Sequence, residues 1–262
     1  MQLSVSNIAW DKELDEEIYS MMKSYGYSGL EIAPTRIFPK VPYDKLEKAK
    51  AWSDMLKKQY GFVVPSMQSI WFGRQEKLFE NDEDRRILNN YTKKAIDFAS
   101  TIGCENLVFG CPRNRNIPDG ADSEIAVEFF RGLGDYAATH GTVIGMEANP
   151  PIYNTNYIND TGAAIALIKQ VDSKGFLLNL DVGTMIQNRE DVSELEGNVY
   201  LINHIHISEP QLKPIEEREL HIELKKILLK EGYDGFISIE MGKVDDVSVM
   251  DKIMQYVRGV FQ

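Results

Sequence analysis

The stretch HIHISEP, residues 204–210, places two of the chain's four histidines one residue apart in an apolar run closed by a proline. Side chains alternate across a strand with period two, so His204 and His206 share one face and Ile205 and Ile207 the other. Both imidazoles point into the fold if either does. The run is too short for a buried helix and has the β-branched content of a buried strand. Two inward imidazoles on such a strand need a chemical reason.

Similar short runs recur on either side. Towards the N-terminus they are LSVSNIAW (3–10), GLEIAP (29–34), FVVPSMQSIW (62–71), NLVFGCP (106–112), TVIGMEANPP (142–151) and FLLNLDVG (176–183); towards the C-terminus there is GFISIEMG (235–242). Longer segments of helical periodicity separate them. The first carries Leu14, Ile18, Met21, Met22 and Tyr25 and closes at Gly26. Others span 43–61, 82–103, 122–141 with Asp122 or Ser123 as cap, 161–175 with Thr161 as cap, 216–232 and 245–261, with a weak helix near 191–202. Strand–helix alternation implies a parallel sheet. Eight units in 262 residues match an α/β fold of the (β/α)8 (TIM) barrel type, a single domain over residues 1–262. A doubly wound open sheet is the competing arrangement, but it requires no particular number of strands.

Composition narrows the function. The net charge of −11 supplies no global attraction for a phosphate backbone, so no nucleic-acid partner is expected. No apolar run reaches membrane-spanning length and no basic-then-apolar leader opens the chain, so neither a membrane partner nor a signal peptide is expected. Cys104 and Cys111 show no metal-type pairing and suit a reducing, cytoplasmic setting. The chain is compatible with a homo-oligomer.

In such a barrel the chemistry sits at the C-terminal ends of the strands. There VIGMEANP delivers Glu147, LLNLDVG delivers Asp181, HIHISEP delivers His206 and FISIEMG delivers Glu240, at spacings of 34, 25 and 34 positions. Taken singly, each acid reads equally as a rim charge, and Asp181 as a turn or cap residue. Jointly, three carboxylates converging in low dielectric would repel strongly without a cation. Three oxygens and one nitrogen suit one divalent metal ion: Mn²⁺ is favoured, Mg²⁺, Co²⁺ and Fe²⁺ are suitable, and Zn²⁺ less distinctively so. His206, nearer the strand end, is the ligand; His204, one layer deeper, is a supporting or core residue.

The segments GMEANP, NLDVGTM, HIHISEP and SIEM resemble those of the xylose isomerase-like TIM-barrel superfamily, the sugar phosphate isomerase/epimerase group, and the resemblance spans essentially the whole chain. It implies that Glu147, Asp181, His206 and Glu240 are the metal ligands. It further implies, by analogy with ketose 3-epimerases, that Glu147 and Glu240 are the catalytic acid and base on either side of a sugar carbon. Two departures stand out. Many members carry a His three residues after the strand-six Asp, where this chain has Thr184, and SEPQLKP lacks the Arg those epimerases carry after strand seven.

Other residues are candidates for the barrel mouth. Arg113 and Arg115 would hold a substrate phosphate or carboxylate, or else are solvated loop charges. Gln68 and Trp71 offer a polar handle and a stacking wall, with core packing the alternative for the indole. Glu31, Asn149 and His221 complete the expected carbohydrate-binding set, and Thr184 joins His204 as support. Four functions compete. The first is a metal-dependent isomerase or epimerase of carbohydrate metabolism, working through an enediolate. A keto-inositol dehydratase-type lyase would use the same base. An endonuclease IV-like DNA repair enzyme shares the barrel but uses a His-rich three-metal cluster, which four histidines serve poorly. A non-enzymatic metabolite-binding barrel would not need ligands at all four strand ends.

Overall fold

The computed structural model describes residues 1–262. Its strands are β1 (Gln2–Ser6), β2 (Gly29–Glu31), β3 (Ser66–Met67), β4 (Asn106–Phe109), β5 (Val143–Met146), β6 (Phe176–Asp181), β7 (Ile202–Ile207) and β8 (Phe236–Ile239). All pair in parallel in the order β2-β1-β8-β7-β6-β5-β4-β3. The remaining gap is closed by bridges Gly29↔Val63 and Ile32↔Met67, with the Gln68 amide donating to the Ile32 carbonyl at 2.9 Å. Neighbours in sequence are thus neighbours in space all the way round. That excludes a doubly wound sheet, whose strand order reverses at a switch point.

The helices are α1 (Asp15–Ser24), α2 (Pro34–Ile37), α3 (Leu46–Tyr60), α4 (Asp82–Ile102), α5 (Glu124–Thr139), α6 (Thr161–Val171), α7 (Val182–Asn188), α8 (Glu219–Lys230) and α9 (Val247–Phe261). Three expectations are corrected. The helix after β6 begins at Val182 rather than near 191, because Asp181 Oδ1 accepts from the Thr184 amide at 2.6 Å and caps it at once; residues 192–195 and 199–201 form only single 3-10 turns. The cap of α6 is Asp160, whose Oδ1 accepts from the Ala163 amide at 2.7 Å, not Thr161. The third strand shrinks to two residues, since Pro65 has no amide to give the ladder.

The strand alternation sorts the barrel into two unlike surfaces. Val5, Ile32, Met67, Ile144, Leu180, Ile205 and Ile239 are buried on the side covered by helices. The interior side is polar. Ser66, Asn106, Asn179, His204 and Ser238 are buried there, and Asn106 Nδ2 donates to Ser66 Oγ at 3.0 Å and to Asn179 Oδ1 at 3.2 Å. The paired amides of Asn106 and Asn179 form a floor beneath the strand ends, while Ser238 Oγ and His204 Nε2 make no hydrogen bond. Gly145 makes room for the floor: a Cβ there would lie 2.5 Å from Asn106 Oδ1 and 3.0 Å from the Asn179 Cβ. Gly145→Ala is expected to cost about 1–3 kcal/mol through overpacking, measured by urea unfolding. An unchanged midpoint would show that the amide floor yields freely.

Candidate active site and metal centre

Four strand ends bring Glu147, Asp181, His206 and Glu240 together. One nitrogen and one oxygen from each of the acids lie within 4.8 Å of one another. The two glutamates follow directly on β5 and β8 and are 9% and 8% exposed; His206 is fully buried. His206 Nδ1 stands 3.0 Å from Glu147 Oε1 and 3.1 Å from Glu240 Oε2.

The electrostatics follow from that crowding. Burial pushes Glu240 up to about 7, against the pull of His206, with Glu147 and Asp181 pushing further the same way. Burial likewise pushes Asp181 up to about 6, with the Glu147 charge adding to it. Burial alone would lower His206, but the Glu240 and Glu31 carboxylates outweigh it and hold the ring well above its ordinary value. One imidazolium cannot balance this many acids, and buried like charges need a cation between them. The donor set of three carboxylate oxygens and one nitrogen fits a divalent metal ion.

The supporting partners are specific. Asp181 Oδ2 accepts from Ser208 Oγ at 2.6 Å, and the same hydroxyl accepts from the Gly183 amide at 2.8 Å. Asn179 Nδ2 donates to Glu147 Oε1 at 3.0 Å, and Asn149 Nδ2 to Glu147 Oε2 at 3.2 Å. Thr184 Oγ1 donates to the Ala148 carbonyl at 2.9 Å, which ties α7 to the end of β5. Gly110 lies so close that a Cβ would stand 2.7 Å from Glu147 Oε2.

Glu31 lies beneath the cluster, not in the substrate cleft. It is fully buried, and its Oε2 is 2.8 Å from His206 Nε2 and 3.1 Å from His204 Nε2. With Nε2 held by this carboxylate, Nδ1 is the nitrogen presented to the acids, an arrangement that fixes a metal-binding tautomer. His204 is therefore a supporting residue, as its deeper position implies, although its Nε2 lies out of line for a hydrogen bond. Gln68 joins this layer, donating to Ser6 Oγ at 2.7 Å and Glu31 Oε1 at 3.0 Å, and also lines the cleft above.

Besides Glu31, three further expected substrate residues are placed elsewhere. Trp71 is core: its indole donates to Thr92 Oγ1 at 2.8 Å and meets Phe109 edge-on at 4.7 Å. His221 is buried between α8 and α9, with Nδ1 2.8 Å from the Tyr256 hydroxyl. Arg115 is fully buried behind Glu147, donating to the Glu147 carbonyl at 2.8 Å, Asn149 Oδ1 at 3.0 Å and the Ile158 carbonyl at 3.1 Å. Both its terminal nitrogens are engaged by the protein and the side chain is fully buried, its Nε left without a partner, so it cannot grip an anion as half of a pair with Arg113, which is exposed.

Two of these placements have measurable consequences. Arg115→Ala would strand two carbonyls and an amide oxygen, and is expected to lower unfolding stability by about 3 kcal/mol or more; a melting temperature within a degree of the parent would contradict this bracing role. Burial pushes His221 down to about 4, against the pull of Glu209. The unfolded chain binds the proton near 6.5 while the folded ring stays neutral. That stability is therefore complete above 6.5 and lost as pH falls, by about 2 kcal/mol at pH 5. His221→Gln is expected to flatten this slope in urea titrations at pH 7 and 5, and an unaltered slope would assign it to other groups.

Above the cluster lies a cleft of about 190 Å³ that Tyr153, Glu209 and Leu212 help to line beside the acids. The sequence reading missed Tyr153, Ser208, Asn179 and Glu209. Asn179 had a legible signal, standing two residues before Asp181 and hence on the same strand face. Glu209 is held by Arg218, whose Nε and Nη2 reach its two oxygens at 2.6 and 2.5 Å. An arginine does therefore serve the loop after β7, later in the chain than the one whose absence was noted.

A closed (β/α)8 barrel with a carboxylate–imidazole cluster at the C-terminal strand ends defines the class. Within it, the chain belongs to the xylose isomerase-like TIM barrel family, whose model matches residues 20–258. Among solved structures it is similar to 3-keto-D-glucoside 4-epimerase YcjR from E. coli, with 20% identity, 99% of each chain covered and a TM-score of 0.78. It is similar to the D-psicose 3-epimerase of Clostridium cellulolyticum H10, with 16% identity, 100% of each chain and a TM-score of 0.79. It is also similar to the IolI protein, solved with a zinc atom, with 14% identity, 99% of this chain, 96% of that one and a TM-score of 0.73. At these identities the likeness is one of fold. No curated protein sequence matches the chain. No helix is long and apolar enough to cross a membrane.

Proposed function

We propose that this protein is a metal-dependent carbohydrate isomerase or epimerase that moves a proton between its two cleft glutamates and a sugar carbon. The observation that carries the reading is the convergence of Glu147, Asp181, His206 and Glu240 on one point at the floor of the cleft. These four residues would hold one divalent ion, Mn²⁺ by preference, and the ion would supply Lewis-acid neutralisation of charge developing on a sugar oxygen.

The chain's own residues do the rest. Glu147 and Glu240 approach the cleft from β5 and β8, which lie on opposite sides of β6 and β7 in the ring. Each carboxylate keeps lone pairs able to take a carbon-bound proton. A carboxylate positioned in this way serves as acid or base in proton transfer. Asn179 and Asn149 grip both oxygens of Glu147 and fix the direction in which it reaches. Removal by one Glu and return by the other inverts a centre; return to the neighbouring carbon isomerises. Loss of a hydroxyl after the first removal would give a lyase of the keto-inositol dehydratase kind. The charged residues that line the cleft are all acidic, which suits a polyhydroxylated small molecule and not a nucleic acid backbone. Free Cys104 and Cys111 accord with a reducing cytoplasm.

The test is a screen of the protein with Mn²⁺ against ketoses, their phosphates and inososes, followed by NMR. A new epimer or isomer supports the reading, a dehydrated product selects the lyase, and inert substrates throughout reject both.

A further inference from the structure

A second hollow, of about 620 Å³, adjoins the inner cleft and shares Ser69, Cys111 and Pro112 with it. The inner cleft alone is smaller than the ~300–1,000 Å³ of usual small-molecule sites. The two together fall within that range. The outer groove is built between two pinned segments. The Asn114 side chain, buried, donates to the Arg74 carbonyl at 3.2 Å and the Glu76 carbonyl at 2.7 Å, and the Leu78 amide donates to the Asn114 carbonyl at 2.8 Å. At the junction, Ser69 and Cys111 both hold left-handed backbone, at φ 57° and 45°. Such conformations in residues other than glycine cost energy and collect at functional sites.

The charges of the two hollows are opposite. Glu147, Asp181, Glu209 and Glu240 line the inner cleft. Arg74, Lys77 and Arg113 line the outer groove, with no carboxylate among its lining residues. Arg74 is neutralised by Glu76 and lies over the Tyr91 ring. The side chains of Lys77 and Arg113 have no hydrogen-bond or ion-pair partner, although each sits one residue from a pinned one. Phe72, 69% exposed, supplies an apolar wall.

We propose that this groove binds the anionic end of an elongated sugar substrate, a carboxylate or phosphate carried away from the reacting carbon. The assignment rests on the carbohydrate reading above and names its substrate class. An anion is attracted by Lys77 and Arg113 outside, whereas the charged lining of the inner cleft is acidic: Glu209, already paired with Arg218, and Glu147, Asp181 and Glu240, whose three charges exceed those of the one divalent ion they would hold. The substrate is thereby aligned with its neutral hydroxyl-bearing end on the cluster. Arg113 offers a planar fork and Lys77 a point charge, a combination suited to a two- or three-oxygen anion.

Calorimetric titration tests this with D-fructose against D-fructose 6-phosphate, and D-glucose against D-glucuronate, in the parent protein and in the Lys77→Ala, Arg113→Ala double variant. Both substitutions are at exposed loop positions and leave the core untouched. At least one anionic sugar is expected to bind tenfold or more tightly than its neutral partner, and the double variant to bring that ratio near one. Which pair shows the preference distinguishes phosphate from carboxylate. The proposal is overturned if neither anionic sugar outbinds its partner, or if the preference survives in the double variant. A parallel Mn²⁺ titration scores the metal reading separately: an intact anion preference in a protein that binds no Mn²⁺ would sink that reading and keep the groove.

Discussion

Protein prepared without chelator is expected to carry about one equivalent of divalent metal, and Asp181→Ala or His206→Ala to weaken Mn²⁺ binding by more than about 100-fold. Loss of a supporting partner typically costs ~10–100-fold in metal affinity, and these residues are read as ligands themselves. Glu31→Ala is the instructive companion. It removes no ligand but releases His206 Nε2 from its 2.8 Å contact, so it belongs in the ~10–100-fold range. Elemental analysis and Mn²⁺ titration read all three. The prediction has a stability counterpart: ion binding offsets the mutual repulsion of buried acids, so chelation is expected to lower the melting temperature of the parent more than that of Asp181→Ala. Parental affinity in Asp181→Ala and His206→Ala would show that the four strand ends do not form a metal site.

With the substrate that the screen identifies, Glu147→Gln and Glu240→Gln are each expected to lower turnover by about 10²–10⁴-fold, the usual contribution of a positioned acid or base. Substrate affinity should largely persist, because glutamine keeps the size and one oxygen of the side chain. In D₂O, turnover by the parent is expected to place deuterium on the reacting carbon, since a proton held on a carboxylate in an open cleft exchanges with solvent. A hydride shift would leave that carbon unlabelled. It would also call for a further group of carboxylates near Asp181, and the acids downstream face away from the cluster: Glu190 accepts from the Thr161 amide and from Asn188, and Asp191 caps the next turn. Full activity in either Gln variant would remove that residue from proton transfer, and product without carbon-bound deuterium would count heavily against the mechanism.

Much of the fold was legible because hydrophobic periodicity is local. Eight apolar runs separated by helical patterns translate directly into strands and helices, and their even rhythm into a parallel barrel. Two of the three misreadings of elements lie where a single capping contact outranks periodicity, and the third where Pro65 interrupts the ladder. Asp181 starts α7 at once by capping it; a cap is one of the readings open to that residue, but the weak periodicity of the residues after it points to a helix near residue 191 instead.

The sequence by itself determined the barrel, and it determined Glu147, Asp181, His206 and Glu240 as the residues its strand ends bring together. Strand period and strand order require nothing more than the chain's own pattern. Only the tertiary structure decided what each neighbour does. Arg113 and Arg115 are two residues apart, yet one faces an open groove and the other braces the backbone behind Glu147. Glu31 ends an apolar run just as Glu240 nearly does, yet it lies below the cluster and turns His206, while Glu240 faces the cleft. His221, on the helix that follows β7, packs against Tyr256 and never reaches the mouth. Burial, hydrogen-bond direction and the sign of nearby charge are properties of surroundings drawn from distant parts of the chain, and no window of sequence contains them.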